Sequence, residues 1–154
     1  MMFRKLALAA AVFMGCVGVS HASTEEDAAL KTVNDFLSAI TRRDKAAMLS
    51  EAVPHMEVMS ARANAEGGLR RLTIEQIADL IVAQPPGKMV QTLHHPVVHV
   101  DNDLASVWSP YTWTDDGHFS HCASEEFSLL KLNGKWLMVG VADTARTDEK
   151  TCLN

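Results

Sequence analysis

The sequence predicts an α+β domain, with helices packed on one face of a bent antiparallel sheet. Three observations carry this. The first half holds two hydroxyl-capped helix starts, each followed by an apolar stripe at helical spacing. The second half, from Lys88 onward, is strand-like and is cut at hairpin spacing by Asp101-Asn102-Asp103, Asp115-Asp116-Gly117 and Asn133-Gly134. With 154 residues, 47% of them hydrophobic, the chain has enough material for one core and too little for two ordinary domains. Its 14 basic and 19 acidic residues give a formal charge of -5, which argues against a nucleic-acid partner, since that requires a basic face.

The N-terminus reads as a secretory signal peptide over residues 1–22. Arg4 and Lys5 precede the apolar run Leu6 to Val19, and Ser20-His21-Ala22 places small residues where a signal peptidase cuts. Fourteen apolar residues fall short of the roughly 20 needed to span a bilayer as a helix. Phe13-Met14-Gly15-Cys16 is a weak lipobox, leaving a lipoprotein as the minority alternative. The expectation is a periplasmic or secreted protein with no membrane attachment after cleavage. The remaining domain, 23–154, then carries a charge of -7 and six histidines.

Cleavage also removes Cys16 and leaves Cys122 and Cys152. Two cysteines in an exported chain read as one disulfide, here pinning a C-terminal tail that is otherwise free to fray. The rival readings are two separate thiols, or a reactive Cys122 beside His121.

The elements follow in order. Ser23-Thr24-Glu25-Glu26-Asp27 caps a first helix, with carboxylates in the first turn where the helix dipole favours them. Its stripe is Leu30, Val33, Phe36-Leu37 and Ile40, and Arg42-Arg43 suit its carboxyl end. Asp44 caps a short second helix that ends before Pro54. Met56, Val58 and Ala61 read weakly as a strand, and Ala63 to Arg71, with Gly67-Gly68, as a loop. Thr73-Ile74-Glu75-Gln76 is a second capping box, opening a helix that Pro85-Pro86-Gly87 stops. Four strands come next, roughly 89–100, 103–115, 118–131 and 135–146.

If the two tight turns pair Asp115 with His118 and Leu132 with Lys135, strand alternation sorts the side chains. Trp108, Thr112, His121, Phe127 and Arg146 fall on the more apolar face, which should meet the helices, together with Glu125. Tyr111, Trp113, Ser120, Cys122, Val141 and Asp143 fall on the other. A single bulge moves Asp143 onto the His121 face. An apolar concavity with a few convergent polar groups is how small-molecule sites are built, so Trp108, Thr112, His121, Phe127, Asp143 and Arg146 are the candidate ligand-binding residues. The plainer reading of His121 is a core histidine satisfied by a neighbour. His94, His95, His99, His118 and His121 diverge across the two faces, so no metal site is expected, and no motif calls for a cofactor.

The pattern resembles the nuclear transport factor 2-like superfamily, in particular its SnoaL-like and putative lumazine-binding groups. The residues that carry the resemblance are Asp116-Gly117-His118-Phe119-Ser120-His121-Cys122, Phe127-Ser128-Leu129, Gly134-Lys135-Trp136 and Ala142-Asp143-Thr144-Ala145-Arg146. The resemblance implies a cone of strongly curved sheet closed by the N-terminal helices, a pocket in the cone, and commonly a homodimer through the outer sheet face. Catalysis in such a cone needs an acid/base carboxylate or a His-Asp pair near a hydrogen-bond donor. The candidates are His121 with Asp143, and Tyr111 as donor. A steroid-isomerase-like site wants a tyrosine and two acids inside, and the simple register leaves only Glu125 there. The preferred reading is an exported small-molecule-binding domain. The alternatives are an isomerase, dehydratase or hydrolase using His121 with Asp143, and a dimeric protein-interaction module working through its aromatic outer face.

Overall fold

The computed structural model describes residues 24–62, 65–84, 88–148 and 152; the expected signal peptide and the Pro85-Pro86-Gly87 helix stop lie outside them. Helix α1 (Glu25–Arg42) opens on a Thr24–Asp27 capping box and closes on Arg43 in the left-handed conformation. Its stripe buries Val33, Phe36, Leu37 and Ile40. Asp44 caps α2 (Lys45–Ser50) by accepting from the Ala47 amide, and Thr73 with Gln76 caps α3 (Ile74–Val82). Each of these starts satisfies backbone N–H groups that a helix end leaves without partners.

Among the described residues seven strands form one sheet: β1 (Ala52–Ala61), β2 (Leu69–Thr73), β3 (Met89–Leu93), β4 (Val97–Asp101), β5 (Leu104–Asp115), β6 (His118–Leu132) and β7 (Lys135–Asp143). The order is β2-β1-β7-β6-β5-β3, with β4 also paired to β5. All neighbours are antiparallel except β1 and β7. Two details differ from the sequence reading. The expected strand 89–100 breaks at His94-His95-Pro96, where His95 has φ 53° and Pro96 offers no N–H, so β3 and β4 pair with successive stretches of β5. The segment read as loop to Arg71 holds the first three residues of β2, which finds its hydrogen bonds on β1, a partner that local sequence does not reveal.

α1 lies across the concave face of the sheet. Val107, Phe127, Leu129, Met138 and Trp136 pack with Val33, Phe36, Leu37 and Ile40 into one core. Glu25, at the start of α1, accepts from Trp136 Nε1 at 2.9 Å and from Lys131 Nζ at 2.7 Å, fixing the helix to the β6–β7 hairpin. The β5–β6 and β6–β7 turns have positive φ at their two central residues, Asp116-Gly117 and Asn133-Gly134, as the tight primed turn requires. They set the expected starting pairs, Asp115 with His118 and Leu132 with Lys135.

Away from the turns the simple register fails. Trp113 pairs with His121 while Thr114 pairs with Phe119, so Ser120 is an extra residue in β6. Ser128 pairs with Gly140 while Leu129 pairs with Met138, so Val139 is an extra residue in β7. Each bulge shifts the pairing by one residue and reverses the faces relative to the neighbouring strand. Tyr111 and Trp113 thereby join His121 on the concave side, and Val141 and Asp143 follow. Trp108 and Thr112, and with them Arg146, turn to the convex side.

Past Asp143 the tail continues alongside β6. The Thr144 amide donates to Ser124 O at 3.1 Å, and Arg146 and Cys122 exchange backbone bonds of 2.8 and 2.9 Å. A disulfide joins Cys122 to Cys152, with their Cα atoms 5.9 Å apart across 30 residues of sequence. Cys152→Ser should lower unfolding stability by about 3 to 4 kcal/mol, the loop-closure entropy for that span, read by urea denaturation under non-reducing conditions. An unchanged midpoint would show that the tail is held without the bond.

Candidate ligand cavity

The concave face is organised in rows that cross the strands. One row is apolar: Val58 on β1, Val141 on β7, Phe127 on β6 and Val107 on β5 stand in register. The next row is polar across five strands: Arg70, Ser60, Asp143, Glu125 and Ser109. Beyond it lie Ala123 with Tyr111 and Leu93, and then His121 with Trp113 and Gln91. Side chains in such rows are cross-strand neighbours about 5 Å apart, so their charges and hydrogen bonds act directly on one another.

Together with α1 and α3 these rows enclose a cavity of about 580 Å³, within the range of small-molecule pockets. Phe36, Ile40, Ile77 and Ile81 form the helical wall. Tyr111, His121, Glu125, Asp143, Arg62 and Arg70 supply its polar groups. Ala145 and Thr147 of the tail line it as well, so the segment fastened by the disulfide is part of its wall.

The polar groups form one connected set. The Tyr111 hydroxyl donates to Asp143 Oδ2 at 3.1 Å and stands 3.4 Å from His121 Nε2. Arg62 Nη2 lies 2.9 Å from the same Asp143 oxygen, in a pair whose side chains are only 17% and 8% exposed. Among the described residues Asp143 Oδ1, which is buried, has no hydrogen-bond partner. His121 Nδ1 is 3.2 Å from the Ser120 hydroxyl, and its ring stacks on Trp113 with centroids 5.7 Å apart. Gln91 Nε2 donates to Glu125 Oε2.

Electrostatics follow from this packing. Burial, reinforced by the facing Asp143 carboxylate, pushes the Glu125 carboxyl up to about 8. Burial, with the Arg62 charge adding to it, holds His121 below its ordinary value, favouring a neutral ring at pH 7. Burial, followed by the nearby Asp143 and Glu125 carboxylates, drives the Tyr111 phenol far up, so it remains a donor. The set therefore contains a proton-holding acid, a neutral imidazole and a phenol beside one carboxylate, which is the material for hydrogen-bonding a carbonyl or moving a proton.

Of the six residues expected to bind ligand, His121 and Asp143 line the cavity, joined through the Tyr111 hydroxyl. Phe127 is fully buried in the core beside it and does not line it. Trp108, Thr112 and Arg146 do not line it either, because the Ser120 and Val139 bulges put their strand positions on the convex side. Trp108 is 44% exposed there, and Thr112 Oγ1 is 3.1 Å from His94 Nε2. The same bulges bring in Tyr111 and Trp113, assigned to the other face by the simple register. A tyrosine and two acids, Glu125 and Asp143, thus do share the inside of the cone. Arg62, Arg70, Ser60 and Gln91 were not anticipated. Arg62 and Arg70 sit around a short connection and gave no local signal, since only the β1–β7 and β1–β2 pairings carry them to the site.

Glu125 makes stability depend on pH in a definite direction. Between the ordinary carboxyl value and about 8 the unfolded chain is ionised while the folded chain keeps its proton. This group therefore lowers stability as pH rises, by up to about 1.4 kcal/mol per pH unit. Glu125→Gln should flatten the decline, leaving the variant more stable than the parent at pH 8 and close to it near pH 4.5. Urea titrations at both pH values measure this. Parallel pH profiles for the two proteins would contradict the buried acid.

No protein-family model matches the sequence, and no curated protein matches it. Solved structures do. An NTF2-like protein from Cytophaga hutchinsonii superposes with a TM-score of 0.67 at 12% identity, over 80% of this chain and 100% of its own. An NTF2-like protein of unknown function from Shewanella baltica gives 0.63 at 16% identity, over 80% and 95%. The CaMKII hub of S. rosetta gives 0.66 at 19% identity, over 81% and 99%. Helices on the concave side of a curved, open seven-stranded sheet, superposing over nearly the full length of such proteins, give this chain the fold of the nuclear transport factor 2-like superfamily.

Proposed function

We propose that the chain is an exported protein that binds a small molecule inside its cone. The observation that carries this is the cavity of about 580 Å³, apolar on its helical wall and furnished on its sheet wall with the Tyr111–Asp143–Arg62 set, His121 and Glu125. A core built only for stability has little use for five polar side chains around an open volume, since each polar group taken from water must be compensated. Export is supported by the composition of residues 1–22 and by the Cys122–Cys152 bond, which suits an oxidising compartment. Native mass spectrometry of protein purified gently from exporting cells tests the reading. A stoichiometric extra mass is expected, and Ala145→Trp, which projects an indole into the cavity, should abolish it. An empty protein whose tryptophan fluorescence ignores a panel of small amphipathic molecules would overturn it.

A second reading, acid–base catalysis, is favoured by one further observation. The Tyr111 hydroxyl stands between His121 and Asp143, with the proton-holding Glu125 in the neighbouring position. Such groups suit proton transfer next to a ketone, as in isomerases and dehydratases. Deuterium uptake from D₂O at the α-carbon of 2-tetralone, lost in Glu125→Gln, would support it. No uptake above the uncatalysed rate would leave binding alone. Homodimerisation through the convex face is supported by the exposed cross-strand pair Val97–Trp108, and sedimentation velocity of the parent and Trp108→Lys proteins tests it.

A further inference from the structure

The charged groups around the cavity do not balance. Arg62 is matched by Asp143 at 2.9 Å, with both side chains largely buried. Glu125 keeps its proton at neutral pH and His121 is held toward its neutral form, so neither supplies a charge. Arg70 remains. It lines the cavity from β2 and is exposed to solvent at that edge. Among the described residues no carboxylate pairs with it. Ser60 stands in register with both Arg70 and Asp143, so two strand spacings, about 9 to 10 Å, separate the backbones of Arg70 and Asp143.

We propose that the cavity takes an amphipathic monocarboxylate, its apolar body against Phe36, Ile40, Ile77 and Ile81 and its carboxylate on the Arg70 guanidinium. This rests on the small-molecule reading above and specifies its ligand. A cation meets two arginines and is disfavoured. A neutral molecule forgoes the charge-assisted bond that Arg70 offers. A dianion exceeds the single uncompensated positive charge and meets the Asp143 carboxylate in the same row. The planar guanidinium fork matches a carboxylate with two parallel hydrogen bonds, which a lone ammonium cannot do. The geometry of the row also orients the ligand. Its charged end lies at the exposed β2 edge, and its body lies between the helices and the sheet, where Ser60 and Glu125 on the sheet side offer hydrogen bonds to any polar group along its length.

The test is titration calorimetry with three probes of one shape: 2-naphthoate, 2-naphthamide and 2-naphthylmethylammonium. The parent protein should bind naphthoate about tenfold more tightly than the amide, and the ammonium compound least. In Arg70→Gln, an exposed substitution on an edge strand that leaves the core intact, the advantage of naphthoate over the amide should vanish while amide affinity stays the same. Equal binding of acid and amide by the parent, or an advantage that survives in Arg70→Gln, would overturn the monocarboxylate inference and leave the cavity reading standing. No binding of any probe at millimolar concentration would overturn both.

Discussion

Two extra residues, Ser120 in β6 and Val139 in β7, decide what the inside of this protein is made of. A strand presents alternate side chains to alternate faces, so one inserted residue reassigns everything beyond it. With both bulges in place, Trp113 stacks on His121 and Tyr111 reaches Asp143. Without them the concave face would present Thr112 to His121 and leave Asp143 on the far side. The bulges also strengthen local twist, which helps long strands such as β6 bend around α1 instead of lying flat. Curvature and site chemistry therefore share a cause.

The polar row has a cost that the fold meets locally. Asp143 and Glu125 stand directly opposite each other on β7 and β6, where two ionised carboxylates repel. The conflict is relieved asymmetrically. Asp143 receives the Arg62 guanidinium and the Tyr111 hydroxyl, while Glu125 is buried, accepts from Gln91 and keeps its proton. Burial thus leaves Glu125 with its proton beside the Asp143–Arg62 ion pair. Among the described residues Asp143 Oδ1 finds no partner, which marks what remains unsatisfied.

The tail completes the cavity. Ala145 and Thr147 line it because backbone bonds to Ser124 and Cys122 carry the chain past the end of β7, and the disulfide anchors the segment at Cys152. A covalent bond at this point limits fraying where few side chains from the tail enter the core.

Much of the chain was legible from local signals. Thr24, Asp44 and Thr73 announce helix starts because a side-chain oxygen at a cap acts within one turn. Asp116-Gly117 and Asn133-Gly134 announce hairpins because only a few residue types accept left-handed backbone at two successive positions. Cys122 and Cys152 are readable as a pair from their number and the expected compartment. His121 and Asp143 could be singled out by chemistry but not placed together. The bulges, the parallel β1–β7 joint and the approach of Arg62 and Arg70 were decided only in the tertiary structure. Their physical reason is common to all three. Strand register and neighbour choice are settled by packing and hydrogen bonding between segments distant in sequence, so a one-residue shift that costs nothing locally is fixed only when the whole sheet closes over its core.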